Sequence, residues 1–174
     1  GTCRGADRAT RLGHPGGGAV RVVIAGAGIG GLTTALSLHA AGISDVTIHE
    51  SVSELRPLGV GINLLPHAVR ELTELGLGKE LAQLGVATSR LSYFNRFGQE
   101  IWSEPRGIDA GYRWPQYSIH RGELQMLLRD TVERVLPGSI RLGSAVQSSR
   151  PAAGGGAEVV VRAESGTESI VRAD

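Results

Sequence analysis

This sequence predicts an α/β fold organised on a parallel sheet, and three observations predict it. The stretch Val22–Gly31, VVIAGAGIGG, opens with Val22, Val23, Ile24 and Ala25 in unbroken apolar succession, the pattern of a strand covered on both faces. Gly26, Gly28 and Gly31 follow in the G-x-G-x-x-G order and lead into a helical run. Beyond that helix a second short apolar run, Val46–Ile48, delivers a carboxylate, Glu50, about 20 residues after the glycines. A glycine triplet alone is weak, since 26 of the 174 residues are glycine. Strand, triplet, helix, strand and carboxylate in that order are specific. They describe a Rossmann-like βαβ unit whose loop takes a pyrophosphate and whose carboxylate accepts the ribose hydroxyls of an adenosine. An acidic residue at this place argues against a 2′-phosphorylated dinucleotide and leaves NAD and FAD both open.

Residues 1–20 show no periodicity and carry a Pro-Gly-Gly-Gly run, so they read as a disordered leader. They contain no apolar segment of the kind a secretory signal needs. After the glycines, Leu32, Ala35, Leu36 and His39 recur at helical spacing, and Gly42 stops the helix. Arg56–Gly61, with Pro57, Gly59 and Gly61, reads as a turn-rich loop. Pro66 suits the first turn of a helix whose buried stripe is Val69, Leu72 and Leu75, and a short helix over Lys79–Leu84 follows. Strands at Arg90–Arg96 and Glu100–Ser103 make a hairpin, and the segment after it, EPRGIDAGYRWPQY, is irregular and aromatic. Tyr112, Trp114 and Tyr117 there can wall a ligand cavity or simply pack. A long helix then presents Leu124, Leu127, Leu128, Val132 and Val135 on one face and ends at Pro137–Gly138. Arg121 stands in its first turn, the wrong sign for a helix N-terminus, and so reads as a ligand contact. Short strands at Ser139–Leu142, Ala145–Ser149, Glu158–Arg162 and Ser169–Arg172 read together as an antiparallel ribbon. The resulting division is a cofactor-binding βαβ core over 21–85, partial substrate-domain strands over 86–118, and a return helix with ribbon over 119–174.

Composition narrows the function. With 18 basic against 17 acidic residues, neither nucleic acid nor an anionic membrane is an implied partner. No run approaches the length of a membrane span. Cys3 is the single cysteine, so no disulfide framework or cysteine metal cluster is expected, and the chain reads as cytoplasmic. His49, His67 and His120 have no metal-ligand spacing, so each reads as structural, and no catalytic acid or base is assigned.

At Arg121 these motifs converge. GAGIGG, Glu50, RPLGVGINLLPHAVRELTELGLG and YSIHRGELQMLL together resemble the class A flavin-dependent aromatic monooxygenases, the family of p-hydroxybenzoate and salicylate hydroxylases. RPLGVGIN, IWSEPRG and PQYSIHRGELQ look particularly like its phenazine-hydroxylating branch. The resemblance covers about residues 20–174 and implies FAD as cofactor, NADH or NADPH as transient reductant, O2 as co-substrate and a small aromatic substrate. By position it implies that Gly26, Ala27, Gly28, Ile29, Gly30 and Gly31 form the pyrophosphate loop and that Glu50 is the ribose carboxylate. It implies Arg121 at the phosphate–ribityl region, a softer match for Arg56, and Gly61 within the Gly59–Asn63 segment beside the isoalloxazine. Members continue with a GADG segment and a later GD-containing motif, whereas this sequence ends at VRAD, so a truncated, amino-terminal part of such an enzyme is expected. Two rivals stand beside the hydroxylase. A non-catalytic dinucleotide-binding fragment fits the missing segments, and an NAD-dependent dehydrogenase leaves the 90–118 strands and Arg121 unexplained.

Overall fold

A computed structural model describes residues 20–174, so the expected leader lies outside the described residues except for Val20. Strand β1 (Arg21–Ala25) runs into the glycine loop, helix α1 (Ile29–Ala40) follows, and strand β2 (Asp45–His49) pairs parallel with β1. Helix α1 lies hard against β1 because Gly31 has no side chain: a Cβ there would stand 2.0 Å from the Gly26 carbonyl oxygen. Next come strand β3 (Gly61–Leu64), helix α2 (Pro66–Glu74), helix α3 (Gly78–Leu84) and strand β4 (Val86–Thr88). Strands β5 (Arg90–Phe94) and β6 (Glu100–Pro105) pair antiparallel, and a 3₁₀ turn at Gly107–Ala110 precedes strand β7 (Gln116–His120). Helix α4 (Arg121–Val135) leads into strand β8 (Ile140–Arg141) and then β9 (Ser144–Pro151), β10 (Ala157–Ala163) and β11 (Glu168–Ala173).

The predicted class holds: an α/β Rossmann-like unit on a parallel sheet, in the order β1-β2-β8, with antiparallel sheets attached. The structure differs from the sequence reading at three places. Ile140–Arg141, expected in the ribbon, instead joins the parallel sheet beside β2, Ile48 opposite Ile140. The helix α4 before it is the crossover that allows two parallel strands to be neighbours. Second, the loop ending at Gly61 and the irregular segment ending at Tyr117 give way to paired strands, β3 and β4 flanking β7. Third, the hairpin turns at Asn95, whose Oδ1 accepts the Phe97 and Gln99 N–H groups at 2.9 and 3.1 Å, so β5 ends at Phe94 rather than Arg96. The ribbon that remains has the order β11-β10-β9.

One core joins these layers. Leu32 of α1, Ile48 of β2 and Leu124, Leu128 and Val132 of α4 are fully buried, and Leu77 and Leu81 extend the core under α3. The α4 stripe is the i, i+4, i+8 row, with Leu127 and Val135 only half-buried at its flanks. Both ends of this arrangement matter for function, because β1, β2 and β7 all deliver chain to the mouth of the glycine loop. No helix among the described residues is long and apolar enough to cross a membrane.

Candidate functional site

The glycine loop is anchored at its root, where the Gly26 N–H donates to the His49 carbonyl at 2.7 Å and ties β1 to the end of β2. Its outer surface is bare. A Cβ added at Gly28 or Gly30 meets nothing within 4 Å, so another molecule can approach that backbone closely. Gly28 precedes helix α1 as its N-cap, supplying no side-chain cap, and the first turn holds no acidic residue. Its leading N–H groups therefore remain without side-chain acceptors and, with the helix dipole, favour an anion.

Glu50, one residue past β2, closes over this loop. Its Oε2 accepts the Ala27 N–H at 2.8 Å, and its Oε1 accepts the Ser51 hydroxyl at 3.0 Å and the Val52 N–H at 3.1 Å. Partial burial pushes the carboxyl pKa up, but the Val52 and Ala27 N–H donors and the Ser51 hydroxyl outweigh it and hold the group below its ordinary value. A carboxylate has about four acceptor positions, so three donors leave room for a ligand hydroxyl.

The third contribution arrives from α4. The Arg121 N–H donates to the Val60 carbonyl at 3.0 Å, and its Nη2 donates to the Leu58 carbonyl at 3.0 Å. Gly122 lets this turn dock: a Cβ there would lie 2.3 Å from the Pro57 carbonyl carbon. One turn further on, the Gln125 Nε2 donates to the Ala27 carbonyl at 2.9 Å. Ala27 is thereby gripped twice, through its N–H by Glu50 and through its C=O by Gln125. Sequence reading missed Gln125; its only signal is the i+4 spacing from Arg121, which places both on one helix face.

Of the residues expected at the site, Glu50 is bonded to the glycine loop at Ala27, and Arg121 stands one helical turn before Gln125, which is bonded to the same residue. Gly61 is close by, since it pairs with His120, the neighbour of Arg121. The Arg56 guanidinium pairs with Glu54 at 2.7 Å on an exposed stretch. Two of the three histidines expected to be structural are so placed, whereas His67 is exposed and lines the cavity that also takes in Tyr112 and Trp114. His120 caps α4 by accepting the Glu123 N–H at 3.4 Å, and the His49 ring, buried at the end of β2, shares a 2.8 Å hydrogen bond with the Ser144 hydroxyl. Among the aromatic residues, Tyr112 and Trp114 line a cavity of about 780 Å³, whereas Tyr117 is buried in the core.

Comparison with known proteins identifies the family. The model of the family described as FAD binding domain matches residues 19–174. The chain is 57% identical over 127 residues to the phenazine 1,6-dicarboxylic acid hydroxylase PhzS of Lysobacter antibioticus, which covers 72% of this chain and 31% of that protein. It is 36% identical over 113 residues to the FAD-dependent urate hydroxylase of Mycolicibacterium vanbaalenii, covering 63% of this chain and 28% of that one. The chain thus spans less than a third of the length of either relative. Among solved structures, p-nitrophenol 4-monooxygenase PnpA from Pseudomonas putida DLL-E4 shares the fold, with TM-score 0.77 at 20% identity over 88% of this chain and 38% of that one. HpxO of Klebsiella pneumoniae complexed with FAD gives TM-score 0.68 at 26% identity over 87% of this chain and 37% of that one.

Proposed function

The chain belongs to the FAD-binding-domain family of class A flavin-dependent aromatic monooxygenases, and from that premise we propose how its own residues serve the cofactor and the reaction. The glycine loop and the open α1 N-terminus hold the pyrophosphate of FAD, Glu50 accepts an adenosine ribose hydroxyl at the position its three protein donors leave open, and Arg121 and Gln125 stand beside the ribityl chain. When bound, the flavin supplies the redox chemistry that joins NADH or NADPH and O2 to hydroxylation of an aromatic ring. The substrate is an aromatic compound, a phenazine-like carboxylate on the strength of the 57% identical relative. Residues 21–85 and 119–174 make the cofactor unit, and 86–118 contribute strands to a substrate unit. Dependence on a reduced nicotinamide implies a cytoplasmic location.

One observation carries this reading: the double grip on Ala27, which sets a carboxylate and a bare glycine backbone side by side. The alternative of a plain NAD site leaves the 90–118 strands and Arg121 unexplained. Fluorescence titration of the chain with FAD and, separately, with FMN tests it. FAD is expected to bind at least tenfold more weakly to the Glu50→Gln variant, while FMN, which has no adenosine, binds both proteins alike. Equal FAD affinity in the two proteins would remove Glu50 from the site.

A further inference from the structure

Glu50 meets the glycine loop with its backbone pinned from behind. Its N–H donates to the Arg141 carbonyl at 2.9 Å, and its own carbonyl accepts the Ser144 N–H at 2.8 Å. The Leu142–Gly143 turn between β8 and β9 thus holds Glu50 from both sides, and the Gly143 N–H extends the hold to the Val52 carbonyl at 2.8 Å. A side-chain bond fastens the same turn to the sheet, since the His49 Nδ1 shares its 2.8 Å hydrogen bond with the Ser144 hydroxyl. Neighbouring residues at a strand end point to opposite faces, so His49 turns to Ser144 while Glu50 turns to Ala27.

The second ring nitrogen of His49 has no such partner. Its Nε2 is buried without a hydrogen bond among the described residues. A neutral ring tolerates this when Nδ1–H donates to Ser144 and Nε2 carries only a lone pair. An imidazolium carries N–H on both nitrogens, so protonation creates a buried donor with no acceptor. No carboxylate is bonded to the ring to offset the charge. Strand β1 sets Ala25 opposite His49, and β8 sets Arg141 there, a cation. Helix α1 carries no titratable residue but His39, exposed in its last turn. Arg162 of β10 and Glu164 just past it lie by Gly143 and are exposed, and the Glu50 carboxylate is engaged by Ala27, Ser51 and Val52. A protonated ring is relieved by turning out to solvent, which gives up the Ser144 bond and frees the turn behind Glu50.

We propose that His49 and Ser144 are positioning residues for Glu50, and that protonation of His49 loosens the hold of that carboxylate on the adenosine ribose, so that cofactor binding weakens on the acid side of neutrality. The proposal rests on the assignment of Glu50 to the ribose. Fluorescence titration of the full chain with FAD from pH 8 to pH 5 tests it. The FAD dissociation constant is expected to rise at least fivefold across that range, and by no more than tenfold per pH unit, as a single proton requires. His49→Asn, whose amide reaches the place of Nδ1 but does not titrate, should vary less than twofold. FMN, which has no adenosine, should bind with one affinity throughout. Ser144→Ala should weaken FAD threefold or more at pH 7.5 and leave FMN unaffected, and Ser144→Thr, which restores the hydroxyl, should recover most of that loss. A flat FAD profile in the parent chain, a dependence retained in His49→Asn, or an FMN profile that follows that of FAD would each overturn the proposal. If Glu50→Gln weakens FAD at pH 7.5 while the parent profile is flat, the ribose assignment stands and only the role of His49 fails. If Glu50→Gln binds FAD as the parent does, the ribose assignment fails and the positioning role with it.

Discussion

His49 sets a pH dependence that the neighbouring Glu50 does not share. Burial of its ring, and next the positive charge of Arg141, both disfavour the imidazolium and hold its pKa below the ordinary histidine value. As pH falls through about 6.5 the unfolded chain takes up a proton that the folded chain refuses. The contribution of His49 to stability is therefore complete above that pH and is lost as pH falls towards the folded-state pKa. Urea unfolding between pH 8 and pH 5 should show stability declining on the acid side, and His49→Gln should flatten that decline. An unchanged slope would mean that another group titrates in the window. Glu50, whose folded-state pKa is also lowered, acts in a different range: its contribution is present above about 4.3 and disappears below it. The two adjacent residues are separable by pH alone.

At the scale of the element, α4 is held by its first turn rather than by its length. Replacing glycine with alanine inside an ordinary helix gains about 1 kcal/mol. At Gly122 the sign should reverse, since the new Cβ would stand 2.3 Å from the Pro57 carbonyl carbon and 2.7 Å from the Leu58 nitrogen, and backbone cannot swing aside as a side chain does. Gly122→Ala should destabilise the chain by about 1–3 kcal/mol in thermal or urea unfolding, and it should weaken FAD binding by drawing Arg121 and Gln125 away from the loop. A stabilised variant would show that α4 docks more loosely than the contact implies. Helices α1 and α4 were legible in the sequence because their apolar residues repeat over enough turns to fix a face. Strands β3, β4 and β7 were not, because runs of three to five residues containing Gly61 or an exposed Val86 carry no alternation above that of a loop. The glycine fingerprint and Glu50 were legible because their order is rare. Arg121 was marked by its awkward charge, although the carbonyls of Leu58 and Val60 that partner its side chain and N–H were invisible until the chain had folded.

Across the whole molecule, the cofactor strip is assembled from parts that lie far apart in sequence. Glu50 and Ala27 are separated by 23 positions, Arg121 and Leu58 by 63, and Gln125 and Ala27 by 98. Each such link requires a loop to be closed before the contact can form, and closure of the longest waits on the packing of α4 against α1. The double grip on Ala27 is therefore expected to form late in folding, which would leave a ligand that needs both halves of it nothing complete to hold in the transition state. Stopped-flow refolding should proceed at the same rate with and without saturating FAD, while unfolding should slow as the ligand stabilises the native state alone. Faster refolding with FAD would place the grip early instead. With refolding unchanged and unfolding slowed, the cofactor acts as a brake on the way out of the native state and not as a template on the way in, so the lifetime of the folded chain, more than its yield, follows the supply of flavin.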